Sequence, residues 1–237
     1  MAPPLLTTKL FPPPRRTQLV PRLRLVKQLE NGFRQRCKLA LVSAPAGFGK
    51  TTLVVEAAHE LGCHLAWVSL DSADNDLVRF WRYMIATLQK IHPQAGELAW
   101  AMLEQNQPPA VETVLTSLLN DLVTLKDSLI VVLDDYHVVE TQAIHDSLNF
   151  FLDHLSSQVF LVITTRADPP LALARRRSRM EMVEVRASDL RFTRDEALVF
   201  LNQTMLLGLS AADVEMLLRR TEGCIAGLQM VARALRG

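Results

Sequence analysis

Short runs of apolar residues alternate along this chain with longer segments in which apolar residues recur every three or four positions. The runs lie at residues 38–43, 64–70, 128–133 and 159–164, with a fifth candidate at 182–185. Runs with so few charges are typical of strands buried on both faces of a parallel sheet. The segments between them have the periodicity of helices that cover such a sheet. The pattern therefore predicts an α/β fold with a five-stranded parallel sheet flanked by helices.

Helical spacing is clear between the runs and again near the end of the chain. Within the α/β part, helices are predicted at 23–36, 51–61, 76–91, 96–105, 110–124 and 141–154. After residue 192 the pattern is helical only, at 194–204, 211–220 and 224–236. Thr193 and Glu196 have the spacing of a capping box at the start of the first of these. We expect an α/β core at 23–192 and a small helical region at 193–237, the start of a helical or winged-helix part.

The first 22 residues differ from the rest because they hold six of the twelve prolines, including Pro12, Pro13 and Pro14. Proline fixes φ and removes a backbone donor, which disfavours the interior of helices and strands. We therefore expect residues 1–22 to be extended, either as a flexible leader or as an arm docked on the domain.

Composition and charge narrow the classes of protein. There are 26 basic and 25 acidic residues, so the net charge of +1 leaves no general electrostatic footprint for nucleic acid or an anionic membrane. The three cysteines, Cys37, Cys63 and Cys224, have no metal-ligand spacing and are expected to be the reduced thiols of a cytoplasmic protein. No apolar run approaches the ~20 residues that a membrane helix needs.

A loop rich in small residues joins the first run to the helix expected at 51–61. The segment Ala44–Thr51, APAGFGKT, matches the phosphate-binding pattern G-x-x-x-x-G-K-[ST], except that Ala44 replaces the first glycine. Small residues let backbone N–H groups converge on phosphates, and the helix N-terminus adds its positive end. Lys50 is expected to reach the β- and γ-phosphates, and the hydroxyl of Thr51 to bind Mg²⁺. The alternative, a turn without a ligand, does not account for a strand directly before the loop and a helix directly after it.

We therefore expect ATP or ADP with Mg²⁺ as cofactors. The residues of the loop that would bind the nucleotide are Pro45, Ala46, Gly47, Phe48, Gly49, Lys50, Thr51 and Thr52.

Two carboxylates follow the run at 128–133, as a phosphate loop requires for its metal ion. Asp134 is expected to hold Mg²⁺ through its water shell, together with Thr51. Asp135 lies one position further, where a carboxylate can orient or deprotonate an attacking water. The alternative is an ordinary strand that ends in a polar turn.

Arg166 follows the run at 159–164, and parallel sheets of this class bind ligands at the carboxyl ends of their strands. We therefore expect Arg166 to contact a γ-phosphate and to be catalytic, together with Lys50 and Asp135. The alternative is a solvated loop arginine. A second basic group, Arg175, Arg176, Arg177 and Arg179, cannot share one helix face, which favours a solvated helix with one or two structural contacts over nucleic-acid binding.

These stretches resemble the N-terminal nucleotide-binding part of the MalT-like, LuxR-type large ATP-dependent transcriptional regulators, which belong to the STAND class of signal-transducing ATPases. The resemblance covers nearly the whole chain. Its stretches are LLTTKLFPPPRRTQLVPRLRLVKQL (5–29), LALVSAPAGFGKTTL (39–53), WVSLDSADND (67–76), LIVVLDDYHVV (129–139), LVITTRADPPLALARRR (161–177), VRASDLRFTRDEA (185–197) and TEGCIAGLQMVARALRG (221–237). Cys224 departs from the tryptophan that is usual at its position in the family.

The resemblance implies a regulatory switch. ADP would hold a resting monomer, ATP would permit self-association, and slow hydrolysis would reset the protein. The leader would contact the adenine through Val20, Pro21 and Arg22. The resemblance also implies that this chain is a fragment of a longer regulator, whose C-terminal part would bind DNA.

Two other functions remain open. A P-loop kinase acting on a small molecule would need an acceptor pocket and a mobile lid with arginines, a part that Arg175–Arg179 could imitate. An interaction scaffold with a dead nucleotide site would not need Lys50, Thr51, Asp134 and Asp135, all of which are present. The helical region and the leader favour the switch, because neither serves a kinase.

Overall fold

The computed structural model describes residues 4–15 and 19–236. Its five strands are β1 (Leu39–Ser43), β2 (His64–Ser69), β3 (Leu129–Asp134), β4 (Val159–Thr165) and β5 (Met182–Arg186). They form one parallel sheet in the order β2-β3-β4-β1-β5. The prediction of a five-stranded parallel sheet is therefore confirmed, and β1, which leads into the candidate phosphate loop, lies inside the sheet.

Helices cover both faces of this sheet. They are α1 (Leu23–Arg34), α2 (Lys50–Leu61), α3 (Leu77–Gln89), α4 (Glu97–Leu103), α5 (Val111–Val123), α6 (Gln142–His154) and two short helices, α7 (Leu173–Ser178) and α8 (Ala187–Leu190). Alternate residues of β1 enter different apolar clusters, with Leu39 and Leu41 on one face and Ala40 and Val42 on the other. The period of two along a strand explains this division, and it explains why the run has no polar face.

The helical region contains α9 (Arg194–Leu198), a π-helical turn at Val199–Thr204, α10 (Ala211–Arg220) and α11 (Ile225–Ala234). The capping box at its start is present, because the hydroxyl of Thr193 accepts from the Glu196 N–H and the Glu196 carboxylate accepts from the Thr193 N–H. The region has its own small core, which includes Phe192, Phe200 and Leu228. The last residue of the expected region, Gly237, lies outside the described residues.

The described part of the N-terminal arm is docked on the domain. Lys9 is 7% exposed and forms ion pairs with Asp71 and with the fully buried Asp74. Tyr83 Oη accepts from the backbone N–H of Leu6 at 3.0 Å. The expectation of an extended arm is wrong at Thr7–Leu10, which form a single turn of 3₁₀ helix, because docking of this segment outweighs its local preference. Residues 1–3 and 16–18 of the expected arm lie outside the described residues.

Within residues 4–15 and 19–236, no helix combines the length and the apolar character needed to cross a membrane.

Candidate nucleotide-binding site

The loop between β1 and α2 has the backbone of a phosphate cradle. Gly47 and Gly49 have φ angles of 84° and 79°, a region in which a side chain is strained, so glycine is required at both positions. Gly49 is the residue before α2, which begins at Lys50. The free N–H groups of the first helical turn therefore face the space above the loop, where an anion is favoured by the helix dipole.

The ammonium group of Lys50 is held in this loop by neutral partners. The side chain is largely buried, and its Nζ donates to the carbonyl oxygens of Ala44 at 2.9 Å and Pro45 at 3.1 Å. Burial lowers the pKa of Lys50, and the nearby Asp135 opposes that shift. A buried cation whose hydrogen bonds end on carbonyl groups can gain strongly from a phosphate.

Three oxygen-bearing side chains meet at the tip of β3. The hydroxyl of Thr51 donates to Asp134 Oδ1 at 2.9 Å, and the hydroxyl of Thr164 donates to the same oxygen at 2.6 Å. Asp134 is 5% exposed, and burial raises its pKa although both hydroxyls oppose the shift. A buried carboxylate beside a threonine hydroxyl fits Mg²⁺, which prefers oxygen ligands and takes one or two carboxylates together with phosphates and water. Among the described residues there is no group of three or more His, Cys, Asp or Glu side chains that could hold a metal ion by themselves.

Asp135 begins a tight turn with its side chain half exposed. Its φ is 60°, the left-handed region, and its backbone N–H donates to the Thr164 hydroxyl at 2.9 Å. The charge of the Asp135 carboxylate adds to the raised pKa of Asp134, and the group stays accessible to solvent. This is the placement needed by a group that acts on a water molecule.

His137 lies beside Asp135 and was not singled out as a site residue from the sequence. Its Nδ1 is 3.6 Å from Asp135 Oδ1. Nδ1 is buried, and no hydrogen-bond partner reaches it within the part of the chain that the structure describes. Burial lowers the pKa of His137, and the positive charge of Arg166 adds to this shift. The histidine of the Asp-Asp-Tyr-His string was the signal for this residue.

Arg166 directly follows β4, which lies between β3 and β1 in the sheet. Its side chain is exposed, and its charge lowers the pKa values of both Lys50 and His137. The structure therefore brings Arg166 to the same edge of the sheet as Lys50 and Asp135, although its role toward a phosphate stays a prediction.

A cavity of about 1280 Å³ opens next to the loop, and the expected adenine-contacting residues Val20, Pro21 and Arg22 line it. Gly47, Gly49 and Thr52 also line it, which makes the cavity continuous with the phosphate cradle. The rest of the wall comes mainly from α2 and the helical region, including Glu56, Phe192, Met205, Ile225 and Gln229. The guanidinium of Arg22 contacts the protein through its Nη2, which donates to the carbonyl of Leu190 at 2.7 Å, and the group lies over the Phe192 ring.

The other loop residues contribute chiefly through the backbone. The side chain of Phe48 packs against the apolar cluster on the α2 face of the sheet. Pro45 and Ala46 lie in the turn between β1 and Gly47 and are not among the cavity-lining residues.

The helical region contacts the phosphate loop directly. The backbone N–H of Ala226 donates to the carbonyl of Gly47 at 3.1 Å. A Cβ atom built on Gly47 would lie only 2.7 Å from the Cβ of Ala226. Cys224 has its Sγ 3.6 Å from the same carbonyl. The sequence did not predict that the last helix would rest on the loop.

The basic group on α7 does not reach the site. Arg176 is fully buried and pairs with Asp153, which also binds Arg175, and Arg177 pairs with Glu184. Structural contacts are present as predicted, but three arginines form ion pairs rather than one or two, and only Arg176 among them is buried.

A strand, a glycine-containing loop and a helix, with an acid at the tip of β3, separated from β1 by β4, define the class of P-loop nucleotide-binding proteins. The model of the AAA family, the ATPase family associated with various cellular activities, matches residues 40–187, and the chain belongs to this family.

Two groups of relatives align with almost the entire chain. Serine/threonine-protein kinase PknK of Mycobacterium tuberculosis is 35% identical over 99% of this chain and 21% of its own length. The HTH-type transcriptional regulator MalT of Klebsiella pneumoniae is 33% identical over 98% of this chain and 25% of its own length. The expected relationship to MalT is confirmed, and the chain spans only about a fifth to a quarter of these relatives.

Solved structures agree on the fold. A Walker-type ATPase of Pyrococcus abyssi gives a TM-score of 0.58 at 16% identity, covering 94% of this chain and 69% of its own. Cdc6p from Pyrobaculum aerophilum gives 0.59 at 16% identity, covering 98% and 65%.

Proposed function

We propose that this chain is the ATP- and ADP-binding switch module of a signal-responsive regulator, with slow ATP hydrolysis that resets it. The observation that carries the proposal is the contact of Thr51 and Thr164 with the buried Asp134, directly beside the Lys50 loop. Burial disfavours the ionised form of Asp134 although both hydroxyls favour it, so a nearby cation would further stabilise the cluster. It is well suited to Mg²⁺, which when bound would offset the charge of the phosphates.

Each of the side chains has a role in this proposal. Lys50 binds the β- and γ-phosphates, and Thr51 with Asp134 holds Mg²⁺. Asp135, oriented by its backbone bond to Thr164 and adjacent to His137, takes the proton of the attacking water. Arg166 contacts the γ-phosphate alone and thereby distinguishes ATP from ADP.

The base is proposed to bind in the cavity beside the loop, against Val20, Pro21 and Arg22. Adenine would be covered by the helical region, whose Ala226 contacts Gly47. A nucleotide in this cavity would contact both the core and the helical region. Its presence or absence can therefore bias how the two are arranged.

The two groups of relatives support a nucleotide-binding module that occurs in proteins of different function. A protein named as a kinase and a protein named as a transcriptional regulator share this whole stretch, so neither kinase activity nor DNA binding follows from it. We propose that self-association in the ATP state belongs to the longer protein, of STAND and LuxR type. DNA would be contacted only by a C-terminal part outside this sequence, in a cytoplasmic protein.

A small-molecule kinase is the second candidate, and the arginines of α7 speak against it. Arg175, Arg176 and Arg177 are held by Asp153 and Glu184 and cannot serve as a lid over phosphates without breaking these ion pairs.

The proposal is tested by titrating nucleotide-free protein with Mg-ATP and Mg-ADP in a calorimeter, followed by single-turnover hydrolysis. We expect saturable binding of both nucleotides at one site and slow release of phosphate into water. Loss of the γ-phosphate only when a small-molecule acceptor is added would favour the kinase. No binding of either nucleotide would overturn the proposal.

A further inference from the structure

Asn75 makes an unusually complete set of hydrogen bonds between two loops at the carboxyl edge of the sheet. Its Oδ1 accepts from the backbone N–H groups of Glu140 at 2.6 Å and Thr141 at 3.1 Å. Its Nδ2 donates to the carbonyls of Val138 at 2.7 Å and Ser72 at 3.2 Å. An amide side chain has two donor and two acceptor positions on these atoms, and all four are used.

The loop that Asn75 holds is the one that carries Asp135. Asp135 is followed by a single 3₁₀ turn, Tyr136–Val138, and the bonds from Asn75 begin at the last residue of that turn. A third bond supports the junction, since the Thr141 hydroxyl donates to the Asn75 carbonyl at 2.7 Å. The segment from Asp135 to Thr141 is thus fixed at its far end by one side chain.

The same loop is fixed at two other points. Its start is held by the bond from the Asp135 N–H to Thr164. Its middle is held by Tyr136, which is almost fully buried and whose hydroxyl is 2.8 Å from His145 Nδ1. Asp135 occupies the left-handed region of the backbone, which is unfavourable for a residue with a side chain. Such a conformation persists where the surroundings over-determine it, and Asn75 is one of these three constraints.

Asn75 is itself held rigidly. The residue before it, Asp74, is fully buried and accepts from the Asp71 N–H at 2.9 Å and from Arg79 Nε at 3.1 Å. Asp74 also pairs with Lys9 of the docked arm. Asn75 therefore links the fixed segment after β2 to the loop that contains Asp135 and His137.

We propose that Asn75 is a positioning residue for ATP hydrolysis, acting on Asp135 and His137 through the 135–141 loop. This rests on the proposed hydrolysis at the site. The donor and acceptor positions of the Asn75 amide are used by protein groups, so its substitution is expected to change the rate of the chemical step rather than the affinity for nucleotide. A displacement of a catalytic group by about 1 Å can cost ~100-fold in rate, so a loss of roughly 10- to 100-fold is the expected size.

Two substitutions separate positioning from folding. Asn75→Leu keeps the branched shape and the number of side-chain heavy atoms, and it removes all four bonds. Asn75→Asp keeps the acceptors for Glu140 and Thr141 and loses the two donors. We therefore expect the Asp variant to retain an intermediate rate and the Leu variant to be the slowest. Asn202→Leu is the matched control, because Asn202 bridges a loop in the helical region in the same way, through the N–H and the carbonyl of Leu209.

The experiment combines three measurements on each variant: the dissociation constant for Mg-ATP, the single-turnover rate and hydrogen exchange of the amides in the 138–141 segment. For Asn75→Leu we expect a rate loss of roughly 10- to 100-fold, a dissociation constant within about threefold of the original and faster exchange at Glu140 and Thr141. Asn75→Asp should retain protection at these amides. Asn202→Leu should change none of the three.

A wild-type rate with Asn75→Leu would overturn the inference, as would a loss of ATP affinity equal to the loss of rate, which would indicate a structural role. If the unsubstituted protein does not hydrolyse ATP, both the proposed hydrolysis and the positioning role of Asn75 are overturned. That failure is distinguishable, because it is seen before any variant is made.

Discussion

The two ends of the candidate nucleotide site are built in different ways. At the phosphate end, Lys50, Asp134 and Thr164 come from strand tips and the first turn of a helix, within one hydrogen-bonded sheet. At the base end, the cavity wall comes from the leader, from α2 and from the helical region, which are far apart in sequence. The phosphate end is therefore fixed by the core. The base end depends on where the helical region lies, so under the proposed function it is the end at which a bound nucleotide would contact both parts.

Because the two ends are built differently, we expect the largest effect from a substitution that removes a catalytic group at the phosphate end. Asp135→Asn should leave Mg-ATP bound but slow hydrolysis by roughly 10²- to 10⁴-fold, since the amide keeps the shape of the side chain and loses its basicity. Single-turnover assays separate the two effects. The control is Asp127→Asn, which lies just before the first residue of β3 and should change neither ATP binding nor the rate of hydrolysis. Hydrolysis at the original rate would remove Asp135 from the reaction.

A change in Lys50 should affect every ligand that carries phosphates. Lys50→Ala should weaken Mg-ATP by up to about 3 kcal/mol, or ~150-fold, because a charged donor is lost in a partly buried cradle. Inorganic tripolyphosphate, measured by competition, should weaken to a similar degree. The control is Lys38→Ala at the start of β1, whose Nζ donates to the carbonyl of Asp153. Unchanged affinities would show that the phosphates bind elsewhere.

A substitution at the base end should lower the affinity for ATP without lowering the affinity for tripolyphosphate. Ala226→Leu puts a larger side chain against Gly47, where the space is already filled, and should push the helical region away from the loop. Overpacking of this kind costs about 1–3 kcal/mol. We expect ATP to weaken by a comparable amount while tripolyphosphate is unaffected, and Ala234→Leu, on the exposed end of the same helix, to change neither. Equal weakening of both ligands would contradict the division into two ends.

The smallest expected effect concerns stability. Burial raises the pKa of Asp134 above its ordinary 3.8, so ionisation in the folded state is unfavourable. The resulting loss in the free energy of unfolding is absent below pH 3.8. It is complete once the pH has risen above the pKa of Asp134 in the folded state. Asp134→Asn should therefore raise the melting temperature near pH 7 without Mg²⁺, by roughly 2–4 °C for each kcal/mol relieved. The gain should vanish in acid, and a lower melting temperature at neutral pH would show that the carboxylate stabilises the fold.

The sequence could predict that the residues of the phosphate end lie together, because each follows directly from a strand in the local pattern, while their roles toward a nucleotide stay predictions. A run of apolar residues followed by APAGFGKT, or by Asp134 and Asp135, indicates both a strand and the chemistry at its end. Arg166 was found in the same way, from the strand that precedes it. The structure places all of these residues at one edge of the sheet.

The remaining features depend on contacts between distant segments, which a single sequence does not encode in any local pattern. The 3₁₀ turn at Thr7–Leu10 forms where the arm packs on α3 and the segment after β2. The hydrogen bond from Ala226 to Gly47 joins residues more than sixty positions apart, and so does the bond from Glu140 to the Asn75 side chain. His137 belongs to the Asp-Asp-Tyr-His string, but only the structure shows that its buried Nδ1 lies 3.6 Å from Asp135 Oδ1 and has no hydrogen-bond partner among the described residues.

The central claim is that this site distinguishes ATP from ADP, and Arg166 provides the most direct test. A charge-assisted contact to the γ-phosphate contributes roughly 1.5–3 kcal/mol, or about 10- to 150-fold in affinity. The measurement is the ratio of the dissociation constants for Mg-ADP and Mg-ATP in the original protein, in Arg166→Ala and in the exposed control Arg179→Ala. We predict that Arg166→Ala weakens ATP by that factor and leaves ADP nearly unchanged, while Arg179→Ala keeps the original ratio. Equal weakening of both nucleotides by Arg166→Ala would contradict the claim and make Arg166 a structural residue.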